Sequence, residues 1–147
     1  MIQLTDLTVR VPGFALERVT FTIPAGGVGI VTGPTGAGKT TLLEAIAGVR
    51  AAQDGAIVLA GVNVSRQPPE QRDVGLVYQQ GWLFPHLSVR DNVAYGARRS
   101  GAAGELIERL LLESLLARPV PTLSGGERQL VALARAIGPR TADPAPR

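Results

Sequence analysis

The sequence predicts an α/β fold, and three observations predict it. The apolar run Val28-Gly29-Ile30-Val31 leads directly into a glycine-rich stretch from Gly33 to Gly38. Behind that stretch comes a helix pattern in which Leu42, Leu43, Ile46 and Val49 keep one apolar face. Ahead of the run stand two segments of alternating apolar and polar residues. A continuous apolar run suits a strand buried on both faces, as in a parallel sheet, whereas alternation suits half-buried strands.

The elements follow in order. Ile2 and Leu4, with Leu7 and Val9, fall on a period near two, and Pro12-Gly13 breaks it. Leu16, Val19, Phe21 and Ile23 then alternate with polar residues, so two strands joined by a turn are expected, the second ended by Pro24-Ala25-Gly26-Gly27. After the first helix pattern Gly48 is a stop signal. Residues 56–64 read as further strand with a turn at Ala60-Gly61, and Gln67-Pro68-Pro69-Glu70-Gln71-Arg72 as a polar, proline-marked loop. Residues 74–78 read as another buried-type strand. Helical character dominates a region of about 82–122, most clearly over 105–117, where Leu106, Ile107, Leu110, Leu111 and Leu115 share a face and Glu105 and Arg109 form a favourable pair. A last helix is expected over 127–137, with Leu130, Leu133, Ala134 and Ile137 as its apolar stripe. From Gly138 onward the chain has three prolines and no Val, Ile or Leu, so 138–147 is expected to be a fraying, proline-rich tail. No internal repeat is visible.

A length of 147 residues predicts one domain, and 45% hydrophobic residues is ordinary for a globular chain. There are no cysteines, which excludes disulfide frameworks and thiolate metal sites and fits a reducing compartment. The single histidine, His86, cannot build a metal site by itself. The net charge of +3 is compatible with nucleic acid, anionic lipid or nucleotide partners, or simply with a solvated, Arg-rich surface. No basic run longer than the pair Arg98-Arg99 supports nucleic acid or lipid, so no nucleic-acid partner is expected. No segment approaches the ~18 apolar residues needed to cross a bilayer. The N-terminus lacks a basic region followed by an apolar one, so the chain reads as untargeted and cytoplasmic, with membrane contact only through a partner.

Gly33-Pro34-Thr35-Gly36-Ala37-Gly38-Lys39-Thr40 fits the phosphate-loop pattern G-x-x-x-x-G-K-[ST], with a strand expected before it and a helix after. Glycines let the backbone turn tightly so that successive N–H groups point at an anion, and the helix N-terminus adds positive partial charge. Lys39 is expected to reach the β and γ phosphates of ATP and Thr40 to ligate Mg²⁺, with Thr41 an extra hydroxyl donor. Leu123-Ser124-Gly125-Gly126-Glu127-Arg128-Gln129 is a second signal: Ser124 suits a helix N-cap, and Gly125 and Gly126 leave backbone N–H groups uncovered at a helix start.

Taken with Val77-Tyr78-Gln79, these segments resemble the ATPase subunits of ATP-binding cassette (ABC) transporters, in the family's order and rough spacing. Phe84-Pro85-His86-Leu87-Ser88-Val89-Arg90-Asp91-Asn92-Val93 and Pro69-Glu70-Gln71-Arg72-Asp73-Val74-Gly75 resemble stretches typical of importers. The resemblance runs from Ile2 to about Ile137, a partial ABC ATPase domain over 1–137. It implies a P-loop NTPase core with an N-terminal antiparallel β subdomain and a helical subdomain. It implies that Gln79 touches Mg²⁺ and the attacking water, and links the nucleotide to the membrane subunit; a polar cap on a strand end is the alternative. It implies that Ser124 and Gly126 meet the ATP held by a second ATPase subunit in a head-to-tail dimer. An aromatic residue often stacks on adenine in the family; Phe14 is the nearest candidate here, with core packing as the alternative. His86 and Trp82 lie where the family meets its permease, and His86 is assigned no chemistry. The subunit is therefore expected on the inner face of the cell membrane, held there by a transmembrane permease.

The family continues past Ala132-Leu133-Ala134-Arg135-Ala136 with a buried strand ending in the Walker B Asp-Glu pair, and later with a switch histidine. These are missing here; Asp143 has no apolar strand before it. The expectation is a C-terminally truncated chain, with an exposed edge at residues 28–31, that binds Mg-ATP but lacks the hydrolytic groups. The alternative is a non-hydrolysing fragment or pseudo-subunit with no transport role. A DNA-repair or translation member is disfavoured by the missing cysteines and the single cassette. The phosphate loop together with Leu43-Glu44-Ala45-Ile46-Ala47-Gly48 looks similar to molybdate/tungstate-type importers.

Overall fold

The computed structural model describes residues 1–97 and 103–137. Arg98-Arg99 and the tail of 138–147 with Asp143 lie outside the described residues. The chain divides into two compact units, Met1–Val74 and the residues from Gly75 onward.

In the first unit, β1 (Ile2–Val11), β2 (Phe14–Ile23), β3 (Asp54–Leu59) and β4 (Val62–Asn63) form an antiparallel sheet in the order β2-β1-β3-β4. The turns fall at Pro12-Gly13 and Ala60-Gly61, as the sequence predicts. Alternation alone cannot bury both Leu4 and Leu7, which are three residues apart. A bulge resolves this: Asp6 adopts φ 48° and the pairing shifts between Leu4↔Phe21 and Leu7↔Val19. An extra residue on one strand flips the parity of everything after it. The opposite strand answers with its own bulge at Arg18 (φ 51°) between Val19 and Leu16, which restores the register at Val9↔Leu16. The two bulges are tied together: Asp6 N–H donates to Thr20 Oγ1 at 2.8 Å, Arg18 N–H to Thr8 Oγ1 at 3.3 Å, and the Arg18 and Asp6 side chains approach to 3.6 Å.

Helix α1 (Lys39–Ala47) packs Leu42, Ala45 and Ile46 with Leu4, Leu7, Val9 and Ile57 into one core. Leu43 and Val49, expected on the buried face, are exposed. The helix stops at Gly48, which takes φ 83° and donates its N–H to Ala45. Its last carbonyls have a partner the sequence does not announce. Arg72, 6% exposed, donates through Nη1 to Ala45 O at 2.8 Å and to Ile46 O at 3.2 Å. Its Nε and Nη2 donate to Gln67 O at 2.8 Å and Ser65 O at 3.3 Å. Burial lowers the guanidinium from its ordinary pKa. Positive charge at a helix C-terminus also complements the helix dipole.

The run over residues 28–31 corrects the expectation of a buried strand. It belongs to no strand, and Val28 and Ile30 are 90% and 83% exposed. A strand forms only when its edges are hydrogen-bonded and is doubly buried only when both faces are covered, and among the described residues none pairs with this run. The same holds for residues 74–78, which form no strand and leave Val77 exposed.

The second unit is helical: α2 (Val89–Ala97), α3 (Ala103–Arg109) and α4 (Gly125–Ile137). Val89, Val93, Leu112, Leu115, Leu123, Val131 and Ala134 form its core. The stripe expected on α4 is rotated: Ala134 is buried as expected, but Val131 and Ala132 are buried beside it, whereas Leu130 and Leu133 are exposed. The helix expected over 105–117 stops at Arg109. Leu111 N–H donates to Glu108 O at 3.1 Å and Leu112 N–H to Ile107 O at 2.9 Å, with Leu111 at φ 53°. That is a Schellman cap with a leucine where glycine is usual, so no glycine marks the stop. Leu111 is 79% exposed, so its side chain contributes little burial. Leu111→Gly is therefore expected to stabilise the chain by about 0.5–1 kcal/mol, by relieving left-handed strain. The urea midpoint would rise; a fall would overturn this account of the cap.

Candidate functional site

The first unit carries the glycine-rich loop. Gly33, Gly36 and Gly38 take φ 148°, 86° and 83°, conformations that side chains rarely adopt. Nothing lies within 4 Å of where a Cβ on Gly36 would stand, so the loop is open to a ligand on that side. The loop is braced by Ala37 N–H donating to Pro34 O at 3.3 Å. The Lys39 ammonium donates to Gly33 O at 2.9 Å and Pro34 O at 2.8 Å, which folds the side chain back over the loop. Gly38 is the N-cap of α1 and no side chain caps that end. The first-turn N–H groups, including those of Lys39, Thr40 and Thr41, have no intrahelical acceptor by the geometry of a helix. Residues 33–37 and Thr40 are exposed, and Thr41 is half-buried. Phosphate-sized anions find here an uncapped helix start, backbone N–H groups and one ammonium, with three glycines permitting close approach. The residues present therefore fit a nucleotide phosphate chain. Phe14, half-buried at the start of β2, lies in the same unit with its ring against Gly38.

The second unit carries the other candidates. Ser124 caps α4 in a reciprocal box: Glu127 N–H donates to Ser124 Oγ at 3.3 Å and Ser124 N–H to Glu127 Oε2 at 2.6 Å. Arg118 Nη1 donates to the other oxygen, Glu127 Oε1, at 2.9 Å. The Ser124 backbone N–H, then its hydroxyl and Arg118, hold the Glu127 carboxyl below the usual carboxylate range. Gly125 and Gly126 are exposed, with nothing near where a Cβ would stand on either.

Gln79 has an exposed side chain, and its carbonyl accepts from Gln129 Nε2 at 3.1 Å. Arg135 Nη2 donates to Trp82 O at 2.8 Å. Gln129 and Arg135, six residues apart on α4, thus hold the backbone of 79–82 along that helix. Sequence reasoning assigned neither of them. Arg135 also stands 4.9 Å above the Phe84 ring, which meets Tyr95 edge-on at 4.8 Å. Asn92, fully buried, accepts from Phe84 N–H at 2.9 Å and donates to Phe84 O at 3.1 Å and Ser88 O at 3.0 Å. It shapes the segment around His86 through backbone contacts alone. Among the described residues no cluster of three or more His, Asp or Glu stands ready for a metal, and no helix is long and apolar enough to cross a membrane.

Comparison with known proteins agrees with these features. The family model described as ABC transporter matches residues 16–141. The sulfate/thiosulfate import ATP-binding protein CysA of Nocardia farcinica is 42% identical over 146 residues, covering 93% of this chain and 44% of that protein. The molybdate/tungstate import ATP-binding protein WtpC of Pyrococcus abyssi is 39% identical over 145 residues, covering 93% and 42%. The molybdenum import ATP-binding protein ModC of Rhodobacter capsulatus is 45% identical over 133 residues, covering 84% and 36%. The chain thus spans less than half the length of these relatives. Among solved structures, the dimeric ATP-binding cassette MJ0796 bound to ADP and Pi superposes with a TM-score of 0.81 at 26% identity, covering 95% of this chain and 70% of that one. On its family match and its cassette fold, this chain belongs to the ABC transporter family, and the relatives named above are import ATP-binding proteins.

Proposed function

We propose that the chain binds Mg-ATP through residues 33–41 as the nucleotide-binding part of an importer. One observation carries this reading: an uncapped helix start preceded by glycines at positive φ, with the Lys39 ammonium folded over the same loop. In this reading the loop N–H groups and Lys39 hold the phosphates, and Thr40 and Gln79 serve Mg²⁺. Phe14 lies on the base side. Ser124, Gly125 and Gly126 would meet the nucleotide of a second ATPase subunit, in line with the dimeric cassette found among solved structures. A permease would hold the pair at the cytoplasmic face of the membrane. The relatives named for sulfate and for molybdate are 42% and 45% identical, so identity does not choose the solute.

Calorimetry with Mg-ATP tests this reading directly: saturable binding that Lys39→Ala weakens is expected, and no binding by the native chain would sink it. Phosphate release in the same preparation separates turnover from binding alone. Ser124→Ala tests the second-subunit role. Loss of the cap is expected to cost about 1 kcal/mol of stability. The ATP affinity of a single subunit should stay within about twofold, while ATP-dependent dimerisation weakens by tenfold or so, on the order of one lost hydrogen bond. Unchanged dimerisation in analytical ultracentrifugation would remove Ser124 from the interface.

A further inference from the structure

β2 begins at Phe14, which pairs with Val11 across the turn at Pro12 and Gly13. Phe14 and Leu16 stand two residues apart and so project from one face of the strand. Both reach the phosphate loop at a single point. A Cβ on Gly38 would stand 2.6 Å from both Cε1 and Cζ of Phe14, and 2.9 Å from Cδ2 of Leu16. Real Cβ atoms essentially never approach so closely. The two side chains therefore occupy the space that any side chain at position 38 would need, in direct contact with the backbone that caps α1. Leu16 also packs against the core of the first unit, whereas Phe14 lies outside that core. Filling the core therefore does not account for the Phe14 ring.

We propose that Phe14, backed by Leu16, is a positioning residue for the phosphate loop: the ring edge sets the height of Gly38 and so aims the first turn of α1 at the phosphates. The proposal rests on the phosphate-binding reading and adds a role distinct from base stacking. Gly38 is the hinge of that turn. It takes φ 83°, accepts the Leu42 N–H at 2.9 Å, and immediately precedes Lys39. Without the ring, the loop has room to settle toward the sheet, carrying Lys39 and the first-turn N–H groups with it. Misplacement on the ångström scale is enough to weaken a site built on aimed N–H groups.

Two ligands separate positioning from stacking. Inorganic tripolyphosphate carries the phosphates without a base, so only the loop can hold it. In calorimetry of the full chain with Mg²⁺, Phe14→Ala is expected to weaken ATP and tripolyphosphate alike, each on the order of tenfold. Phe14→Met, apolar and long enough to fill the same gap without a π face, should recover most of both affinities. Should Phe14→Ala fail to fold by circular dichroism, Phe14→Val, which suits a strand and lacks the ring tip, carries the same expectation. Native tripolyphosphate affinity in the folded Ala or Val variant would overturn the proposal. So would recovery by Met of neither ligand. Failure of the underlying reading looks different: Lys39→Ala would then leave both affinities unchanged.

Discussion

Arg72→Met is expected to lower the unfolding free energy by about 2–3 kcal/mol, the range for losing hydrogen bonds from a charged donor to buried carbonyls. The guanidinium reaches four backbone carbonyls: Ala45 and Ile46 at the end of α1, and Ser65 and Gln67 in the segment just before Arg72. Methionine replaces the packing volume but none of the donors. Ile46 O would lose its arginine donor and Ala45 O would keep only the Gly48 N–H, and an unsatisfied buried group costs about 1–3 kcal/mol. Arg72→Lys should fall between: the charge remains, but a single ammonium cannot span partners on both segments as a planar fork does. Gly48 reports on the same arrangement, because a Cβ there would stand 2.5 Å from Arg72 Nε. Urea denaturation at constant m-value provides the measurement. A loss below about 1 kcal/mol for the methionine variant would show that water replaces the arginine without penalty.

Lys39→Ala is expected to weaken Mg-ATP binding by about 10–100-fold, the worth of a hydrogen bond to a charged group. The ammonium sits 2.9 Å from Gly33 O and 2.8 Å from Pro34 O, so it lies over the loop before any ligand arrives. Its loss removes the loop's one cation and also the clasp between the two ends of the loop. These contacts are exposed, so stability should change by no more than about 0.5 kcal/mol. The contrast with Arg72 is the useful one: there stability falls and the loop chemistry is untouched, whereas here affinity falls and the fold is kept. Unchanged affinity by calorimetry would end the phosphate-loop reading.

Several features were legible because they are local. The hairpin turns at Pro12-Gly13 and Ala60-Gly61, the stop at Gly48 and the cap at Ser124 each depend on residues within one turn of the chain. Glycine, proline and serine mark them by chemistry alone. The stop of α3 was not legible, because Leu111 takes the left-handed position without being glycine. The two compensating bulges at Asp6 and Arg18 were equally silent. Their only trace in sequence is the three-residue step from Leu4 to Leu7 and from Leu16 to Val19.

The sequence by itself determined the order of strand hairpin, glycine-rich loop and helix, and the family to which that order belongs. The tertiary structure alone decided which apolar residues are inside. Residues 28–31 read as a buried strand, yet Val28 and Ile30 are exposed. Leu130 and Leu133 read as part of the inner stripe of α4, yet Val131 and Ala132 join Ala134 there instead. Burial is not a property of a segment. A strand forms only if another strand bonds to its edge, and a strand or helix face is buried only if another element lies against it. The ring of Phe14 under Gly38 and the fork of Arg72 over the end of α1 share that non-local origin. Each joins segments far apart in the chain, and each meets the helix that follows the glycine-rich loop.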